Sequence, residues 1–113
     1  MTIYEPWTVV EVPFPFIDKD FSKKRKALVV SSESYGSDTG ATILVMITSA
    51  ENSSWKSDVA LENYGEAGLR KPCVVRFKVF SIDSSLILGK VGLLHEEDQK
   101  RVRPALRKIL GVL

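Results

Sequence analysis

Short runs of β-branched and apolar residues, separated by polar segments, are the feature that most restricts the fold of this chain. The segments KALVVSS (26–32) and TILVMITS (42–49) are nearly all apolar, as is typical of strands buried on both faces. The segments TVVEVPFPF (8–16) and CVVRFKVF (73–80) predict strands in which the residues alternate between two faces. One face of the first carries Val10, Val12, Phe14 and Phe16, and one face of the second carries Cys73, Val75, Phe77 and Val79. Proline cannot donate a ladder hydrogen bond, so the two prolines of the first segment predict that this strand ends at a rim.

The remaining segments predict turns, shorter strands and one helix. The segment SSESYGSDTG (31–40) consists of turn-forming residues, and DVAL (58–61) is compatible with a short strand. In LILGKVGLL (86–94) the two glycines predict a bend or a bulge within a last strand. From Glu96 onward the apolar residues follow helical spacing, and Pro104 is expected to kink or split that helix. We therefore expect a mainly β fold with a C-terminal helix (α+β), in which the helix packs on a small, strongly bent antiparallel barrel.

Composition limits the chain to one small domain. At 113 residues, of which 44% are hydrophobic, the chain can build a modest core, and we expect residues 1–113 to form a single domain. A net charge of +2 provides no global field, so any nucleic-acid binding must depend on a local cluster of cations. The single cysteine suits a reducing compartment, and neither a signal peptide nor a long apolar span is visible, so we expect a cytoplasmic protein with no membrane partner.

A cluster of cations leads directly into the second predicted strand, in FSKKRKALVVS (21–31). A strand that enters the core fixes a cation at its start more firmly than a loop tip does, so Arg25 is a candidate for a positioned guanidinium. Its planar fork of donors matches a phosphate group bidentately, and Lys23 and Lys24 are looser companions on the preceding loop. The alternative is an ordinary solvated strand end.

A second pair of cations favours the phosphate-binding interpretation. Arg76 and Lys78 share one face of a predicted strand, and two basic strands on a small barrel form a groove of phosphate-binding width. Thr48 and Ser49 end a buried strand, where a hydroxyl is held at the rim. His95 lies where a helix N-cap is expected, so we interpret it as structural.

The sequence shows none of the motifs that bind metals or cofactors. It has no His/Cys/Asp cluster with metal-ligand spacing, no glycine-rich phosphate loop and no nucleophile elbow. We expect neither a metal nor a cofactor. The residues by themselves thus indicate a small β-barrel with a groove for an anionic ligand.

The order of four segments resembles the PemK/MazF family of bacterial toxins. These segments are VVEVPFPFIDKDFSKKRKALVVS, then ITS, then DVAL…AGLRKPCVVRFKVFSID, then LILGKVGLL, followed by the terminal helix. The resemblance extends from Thr8 to Leu110. It implies a homodimer of SH3-like barrels that cuts single-stranded RNA without a metal ion and that is inhibited by an acidic antitoxin protein.

The resemblance also implies which residues act. Arg25 and Thr48 match the family residues that carry the chemistry, attack of a ribose 2′-hydroxyl on the adjacent phosphate. Asp18 and Asp20 are the carboxylates available in the first loop as a general base. The expected RNA contacts are Phe21, which can stack on an unpaired base, and Lys23, Lys24, Ser49, Arg76 and Lys78.

The chain departs from the family pattern at three places, and two other functions stay open. Lys26 stands where the family usually has proline, Trp7-Thr8 where it usually has Gly-Asp, and Lys78 where some members have aspartate. One alternative is a toxin of the same fold that poisons DNA gyrase, against which the C-terminal sequence ILGVL argues. The other is a non-catalytic RNA-binding barrel.

Overall fold

The computed structural model describes residues 2–13 and 23–111, and within them six strands form one antiparallel sheet. The strands follow the order β4-β5-β3-β2-β1-β6 across the sheet. They are β1 Thr8–Pro13, β2 Lys24–Val29, β3 Ala41–Ser49, β4 Val59–Ala60, β5 Cys73–Asp83 and β6 Gly89–Leu93. The helices are α1 Glu33–Thr39 and α2 Glu96–Leu110, with 3₁₀ turns at Ala50–Asn52 and Ser84–Leu86. The predicted mainly β fold with a C-terminal helix is confirmed.

Each face of the sheet buries a separate apolar cluster. The main core lies between the sheet and α2; its most buried members include Val9, Leu28, Val45, Val75, Leu94 and Val102. The minor core lies on the opposite face and contains Val10, Val12, Ala27, Val29, Leu44, Ile82 and Ile87. This explains why residues 26–32 and 42–49 are nearly all apolar, since alternate side chains of β2 and β3 enter different cores.

The segment 31–40 was expected to be a turn, and this prediction is wrong, because residues 33–39 form α1. The Ser32 hydroxyl caps the helix by accepting a hydrogen bond from the backbone N–H of Tyr35 at 3.1 Å. Gly40 ends the helix in the left-handed conformation, with φ of 72°. Serine and glycine are as common at helix caps as in turns, so their presence alone does not separate the two structures.

The predictions for the first and last strands are confirmed in the described residues. Val9 pairs with Gly92 and Val10 with Lys90, so Val91 is the extra residue of a bulge in β6. Gly92 is needed there because a Cβ atom would lie 2.3 Å from the carbonyl oxygen of Ala67. Pairing between β1 and β6 stops at Glu11, so β1 ends at a rim. Phe14 and Phe16 lie outside the described residues.

Helix α2 begins as predicted but is not split by its proline. The Nδ1 atom of His95 accepts a hydrogen bond from the backbone N–H of Glu97 at 3.1 Å, which confirms His95 as the N-cap. The helix continues through Pro104 to Leu110. Packing of its apolar side against the main core outweighs the one backbone hydrogen bond that proline removes.

A buried carboxylate ties α2 to the loop after β4. The side chain of Asp98 is fully buried and accepts hydrogen bonds from the backbone N–H groups of Glu62 at 3.0 Å and Asn63 at 2.9 Å. The Arg101 guanidinium donates to the same carboxylate. Burial raises the pKa of Asp98, but these hydrogen bonds and the Arg101 charge outweigh it, so the pKa is lower than usual.

Replacing Asp98 with alanine should lower the free energy of unfolding by about 3 kcal/mol, because the two N–H groups and Arg101 lose their buried acceptor. The exposed neighbouring carboxylate provides the matched control: Glu97→Ala should change the free energy by less than about 0.5 kcal/mol. Urea unfolding measures both. Equal effects of the two substitutions would contradict the anchoring role.

The same carboxylate should make stability depend on pH. The pKa of Asp98 lies below its ordinary value of 3.8 in the folded chain, so its contribution is present above that value and is lost as the pH falls through the folded pKa. Wild-type stability should therefore decline below about pH 4. The free energy of unfolding of Asp98→Asn should decline less steeply over the same pH range. Identical slopes of unfolding free energy against pH for the two proteins would refute this linkage.

Candidate functional site

Strands β2 and β3 bring the two predicted catalytic residues to one place. Lys26 pairs with Ile47, so the next residues along, Arg25 and Thr48, face each other across the two strands. Both line an open depression of about 260 Å³ on the face of the sheet that carries the minor core. The residues around this depression are Arg25, Met46, Ile47, Thr48, Asn52, Arg76 and Lys78.

A bulge in β5 brings two more cations to this depression. Val45 of β3 pairs with Val79, whereas Met46 pairs with Arg76, so Phe77 and Lys78 are extra residues on β5. Because the insertion is two residues long, Arg76 and Lys78 stay on one face of the strand, as the alternating sequence predicts. The depression therefore combines three cationic side chains with the Thr48 hydroxyl.

The guanidinium of Arg76 is held by the segment that follows β3. Its Nε donates to Asp58 Oδ1 at 3.3 Å, and its Nη2 donates to Asp58 Oδ2 and to the Asn52 carbonyl, at 3.0 and 2.9 Å. The Asp58 side chain is only 2% exposed, which makes this a shielded, charge-assisted pair. Among the described residues no hydrogen bond uses Nη1 of Arg76, so this nitrogen can still donate to a ligand.

Asp58 also organises the loop in which it lies. Its Oδ2 accepts hydrogen bonds from the Ser53 hydroxyl and from the backbone N–H groups of Ser54 and Trp55, at 3.0, 3.2 and 3.3 Å. Burial raises the pKa of Asp58. The hydrogen bonds from Arg76, Ser53 and Trp55, together with the Arg76 charge, lower this pKa by more than burial raises it, so it lies below its usual value. Asp58 is therefore ionised at neutral pH and is a poor proton acceptor.

Sequence reasoning missed three residues at this site. Asp58 was interpreted only as part of a possible short strand, and Trp55 and Asn52 had no assigned role. The Asn52 amide lies 3.5 Å from the Thr48 hydroxyl oxygen, and the Trp55 ring centroid lies 5.0 Å from the Arg76 guanidinium carbon. Their proximity to β3 and β5 is a tertiary property, and nothing in the local sequence indicates it.

Other predicted residues lie away from the depression or outside the described residues. Ser49 pairs with Cys73 at the end of β3, and alternation places it on the opposite face from Thr48. Lys23 and Lys24 are exposed but do not line the depression. Asp18, Asp20 and Phe21, for which roles were predicted, lie outside the described residues.

Two cations that precede β5 in the sequence lie at a second depression. Arg70 and Lys71 border it together with Lys26, whose ammonium group forms an ion pair with Glu11 at 2.9 Å. Alternation along β2 places Lys26 on the opposite face from Arg25. The basic residues are therefore divided between two depressions, with Arg25, Arg76 and Lys78 in the first and Lys26, Arg70 and Lys71 in the second.

The described lining of the site is cationic and lacks a proton acceptor. No carboxylate or imidazole of residues 2–13 and 23–111 borders it, since Asp58 lies behind Arg76. In those same ranges, no three His, Cys, Asp or Glu side chains are grouped as metal ligands. None of the helices described is both long and apolar enough to span a membrane. The arrangement suits binding of a phosphate group and stabilisation of charge on its oxygens.

Comparison with known proteins confirms the resemblance read from the sequence. The family model of the PemK-like, MazF-like toxins of type II toxin–antitoxin systems matches residues 5–110. A solved MazE–MazF complex from Deinococcus radiodurans has a TM-score of 0.76 at 19% identity, over 100% of both chains. An endoribonuclease in complex with its cognate antitoxin, from a mycobacterial species, has a TM-score of 0.75 at 14% identity, over 100% of this chain and 98% of its own. No curated protein sequence matches the chain.

Replacing Asp58 with alanine should loosen the loop that follows β3. We expect a loss of about 2–3 kcal/mol in the free energy of unfolding, because Arg76 and two backbone N–H groups lose a shielded carboxylate. Amide hydrogen exchange at Ser54 and Trp55 should accelerate. Glu51→Ala, at an exposed carboxylate of the same segment, is the matched control, and comparable exchange in both variants would show that Asp58 does not organise the loop.

Proposed function

This chain belongs to the PemK-like, MazF-like toxin family of type II toxin–antitoxin systems, and from that premise we propose that it is an endoribonuclease that cleaves single-stranded RNA without a metal ion. The observation that carries the proposal is the convergence of Arg25, Arg76, Lys78 and the Thr48 hydroxyl on one open depression. Its groups suit a phosphodiester, since cations neutralise the phosphate and a hydroxyl can bond one of its oxygens. Solved relatives that share the fold are themselves described as endoribonucleases.

Arg25 stabilises the charge that develops during the reaction. Negative charge grows on the non-bridging phosphate oxygens in the transition state, and a guanidinium already in place stabilises it without reorganisation. Arg25 is suited to this task because its backbone is fixed by pairing of β2 with β1. The Nη1 donor of Arg76 and the ammonium group of Lys78, which both border the depression, hold the same phosphate or its neighbour.

Thr48 positions the reacting groups. The Asn52 amide donates to the Thr48 oxygen across a long contact of 3.5 Å, which directs the hydroxyl hydrogen of Thr48 away from Asn52 and toward the depression. That hydrogen bonds a phosphate oxygen, and the threonine oxygen orients the attacking ribose hydroxyl.

The reaction is a transesterification within the RNA. The 2′-oxygen forms a bond to the adjacent phosphorus and the bond from phosphorus to the 5′-oxygen breaks, leaving a cyclic phosphate and a 5′-hydroxyl. A general base takes the proton of the 2′-hydroxyl, and the departing 5′-oxygen gains a proton. Asp18 and Asp20, which lie in the sequence between β1 and β2, are our candidates for the base, because the described lining supplies no carboxylate.

An acidic antitoxin is the proposed inhibitor, and a homodimer is the proposed assembly. Solved relatives occur in complexes with antitoxins. An acidic segment that folds on binding can cover Arg25 and Lys78 through complementary charge and so exclude RNA. No observation favours the gyrase-poisoning alternative, and non-catalytic RNA binding is an outcome that the following experiment can detect.

The purified protein should cut RNA in the presence of EDTA. Arg25→Ala should reduce the cleavage rate by roughly two to three orders of magnitude, the usual loss for one donor to transition-state charge. Lys100→Ala removes an exposed cation of α2 that pairs only with Glu97 in the described residues, and should cleave at the wild-type rate. Incubation with total RNA, followed by mapping of the fragment ends, gives the cleavage rate and the cleavage positions for wild type and both variants.

The outcomes separate function from residue assignment. Wild-type protein that leaves RNA intact in vitro and in bacteria would overturn the nuclease proposal, and binding without cleavage would establish the non-catalytic alternative. If Arg25→Ala cuts as fast as wild type, the function stands and the role of Arg25 is wrong.

The antitoxin should be a small acidic protein encoded next to this chain, and it should compete with RNA. Lys78→Glu should weaken binding of both the antitoxin and RNA by about tenfold, because like charges then oppose each other. Lys100→Glu is the matched control, and competitive binding assays measure the affinities. A neighbouring gene that encodes no acidic protein, together with harmless expression of this chain alone, would argue strongly against an antitoxin partner.

A further inference from the structure

Trp55 presents a large aromatic surface to solvent. The side chain is 44% exposed, although tryptophan is on average one of the more buried residue types. It lies in the segment between β3 and β4, next to the exposed Lys56. Its ring contacts Arg76, one of the residues that line the depression. The indole therefore lies beside the proposed phosphate site.

Contacts hold both the backbone and the ring of Trp55. The backbone N–H of Trp55 donates to Asp58 Oδ2 at 3.3 Å, and the Asp58 N–H donates to the Trp55 carbonyl at 3.0 Å. The Arg76 guanidinium, itself held by Asp58, lies over the ring at 5.0 Å from its centroid. A ligand that stacks on the indole consequently finds it already ordered, which lowers the entropic cost of binding.

Aromatic rings interleaved with cations are the usual surface for single-stranded nucleic acid. Each base offers a π-face that stacks on an aromatic side chain, while neighbouring cations contact the phosphates. The Arg76 guanidinium lies over the Trp55 ring, and Arg76 shares the depression with Lys78 and Arg25; the exposed Lys56 is the next residue along the chain. This pattern favours RNA over an apolar protein segment as the occupant, because the cations around the ring match the charge of the RNA backbone.

We propose that Trp55 is the platform on which one unpaired base of the RNA stacks while an adjacent phosphate occupies the depression. This inference rests on the proposed ribonuclease function. Every base has a π-face, so the platform strengthens binding without selecting the sequence. Trp55→Ala should therefore raise KM about tenfold, leave kcat nearly unchanged and leave the cleavage sequence unaltered.

The direct test is a double-mutant cycle that combines a substitution in the protein with removal of one base from the RNA and measures binding affinity. The probes are single-stranded RNAs with 2′-O-methyl groups, which prevent attack, and with one base removed at each position in turn. At the stacked position, loss of the base should weaken wild-type binding about tenfold and should have no further effect on Trp55→Ala. Trp55→Phe keeps an aromatic face and should respond as wild type does.

Two further measurements separate stacking from a disturbed loop. Trp55→Ala should leave the salt dependence of binding unchanged, because stacking releases no counterions; displacement of Arg76 would lower the slope by about 0.7 per lost phosphate contact. In Trp7→Phe the only indole left is Trp55, and its emission should change when the methylated RNA binds. In Trp55→Phe the remaining Trp7 packs against the main core and should report little change.

Each outcome decides the proposal. If wild-type protein cuts RNA but Trp55→Ala has the same KM, or responds to every missing base as wild type does, the platform is refuted while the nuclease function stands. A lower salt slope in Trp55→Ala would show that the indole acts only by placing Arg76. Wild-type protein that neither binds nor cuts RNA would overturn both proposals.

Discussion

Strand β3 is hydrogen-bonded along both of its edges, and the geometry of the site depends on that pairing. On one side its register with β2 brings Thr48 opposite Arg25; on the other, its bulged register with β5 brings Arg76 and Lys78 to the same face. The two cores hold the sheet in place, because side chains of β2 and β3 enter them alternately. A shift of one residue in either pairing would turn these cations to the opposite face.

The pair formed by Arg76 and Asp58 joins the loop after β3 to the sheet at the candidate site. A buried carboxylate that bonds a guanidinium and two backbone N–H groups converts a polar loop into a fixed part of the site. The same pair shows why cationic residues do not all act alike. Arg76 has most of its donors committed to the protein, Lys26 is paired with Glu11, and Lys78 is exposed at the depression. Net charge therefore says little about which cation meets a ligand.

Predictions succeeded where a local pattern has one physical meaning. Period-two alternation predicted which side chains of β5 share a face, and the glycines of the last strand predicted its bulge. The prediction for residues 31–40 failed because serine and glycine suit helix caps as well as turns, and residues 33–39 form a capped helix. Arg25 and Thr48 stand at predicted strand ends, but their catalytic roles were implied by the resemblance to the toxin family and stay predictions.

The sequence by itself determined the mainly β fold, the C-terminal helix and the family, because apolar periodicity and the order of segments are carried along the chain. It also determined that cations stand at two strand ends. Only the tertiary structure decided which of them converge and what holds them. Asp58 and Trp55 lie far along the chain from Arg76, and their pairing with it follows from how β3, β4 and β5 align. Contacts between distant segments depend on register and burial, which no local pattern encodes.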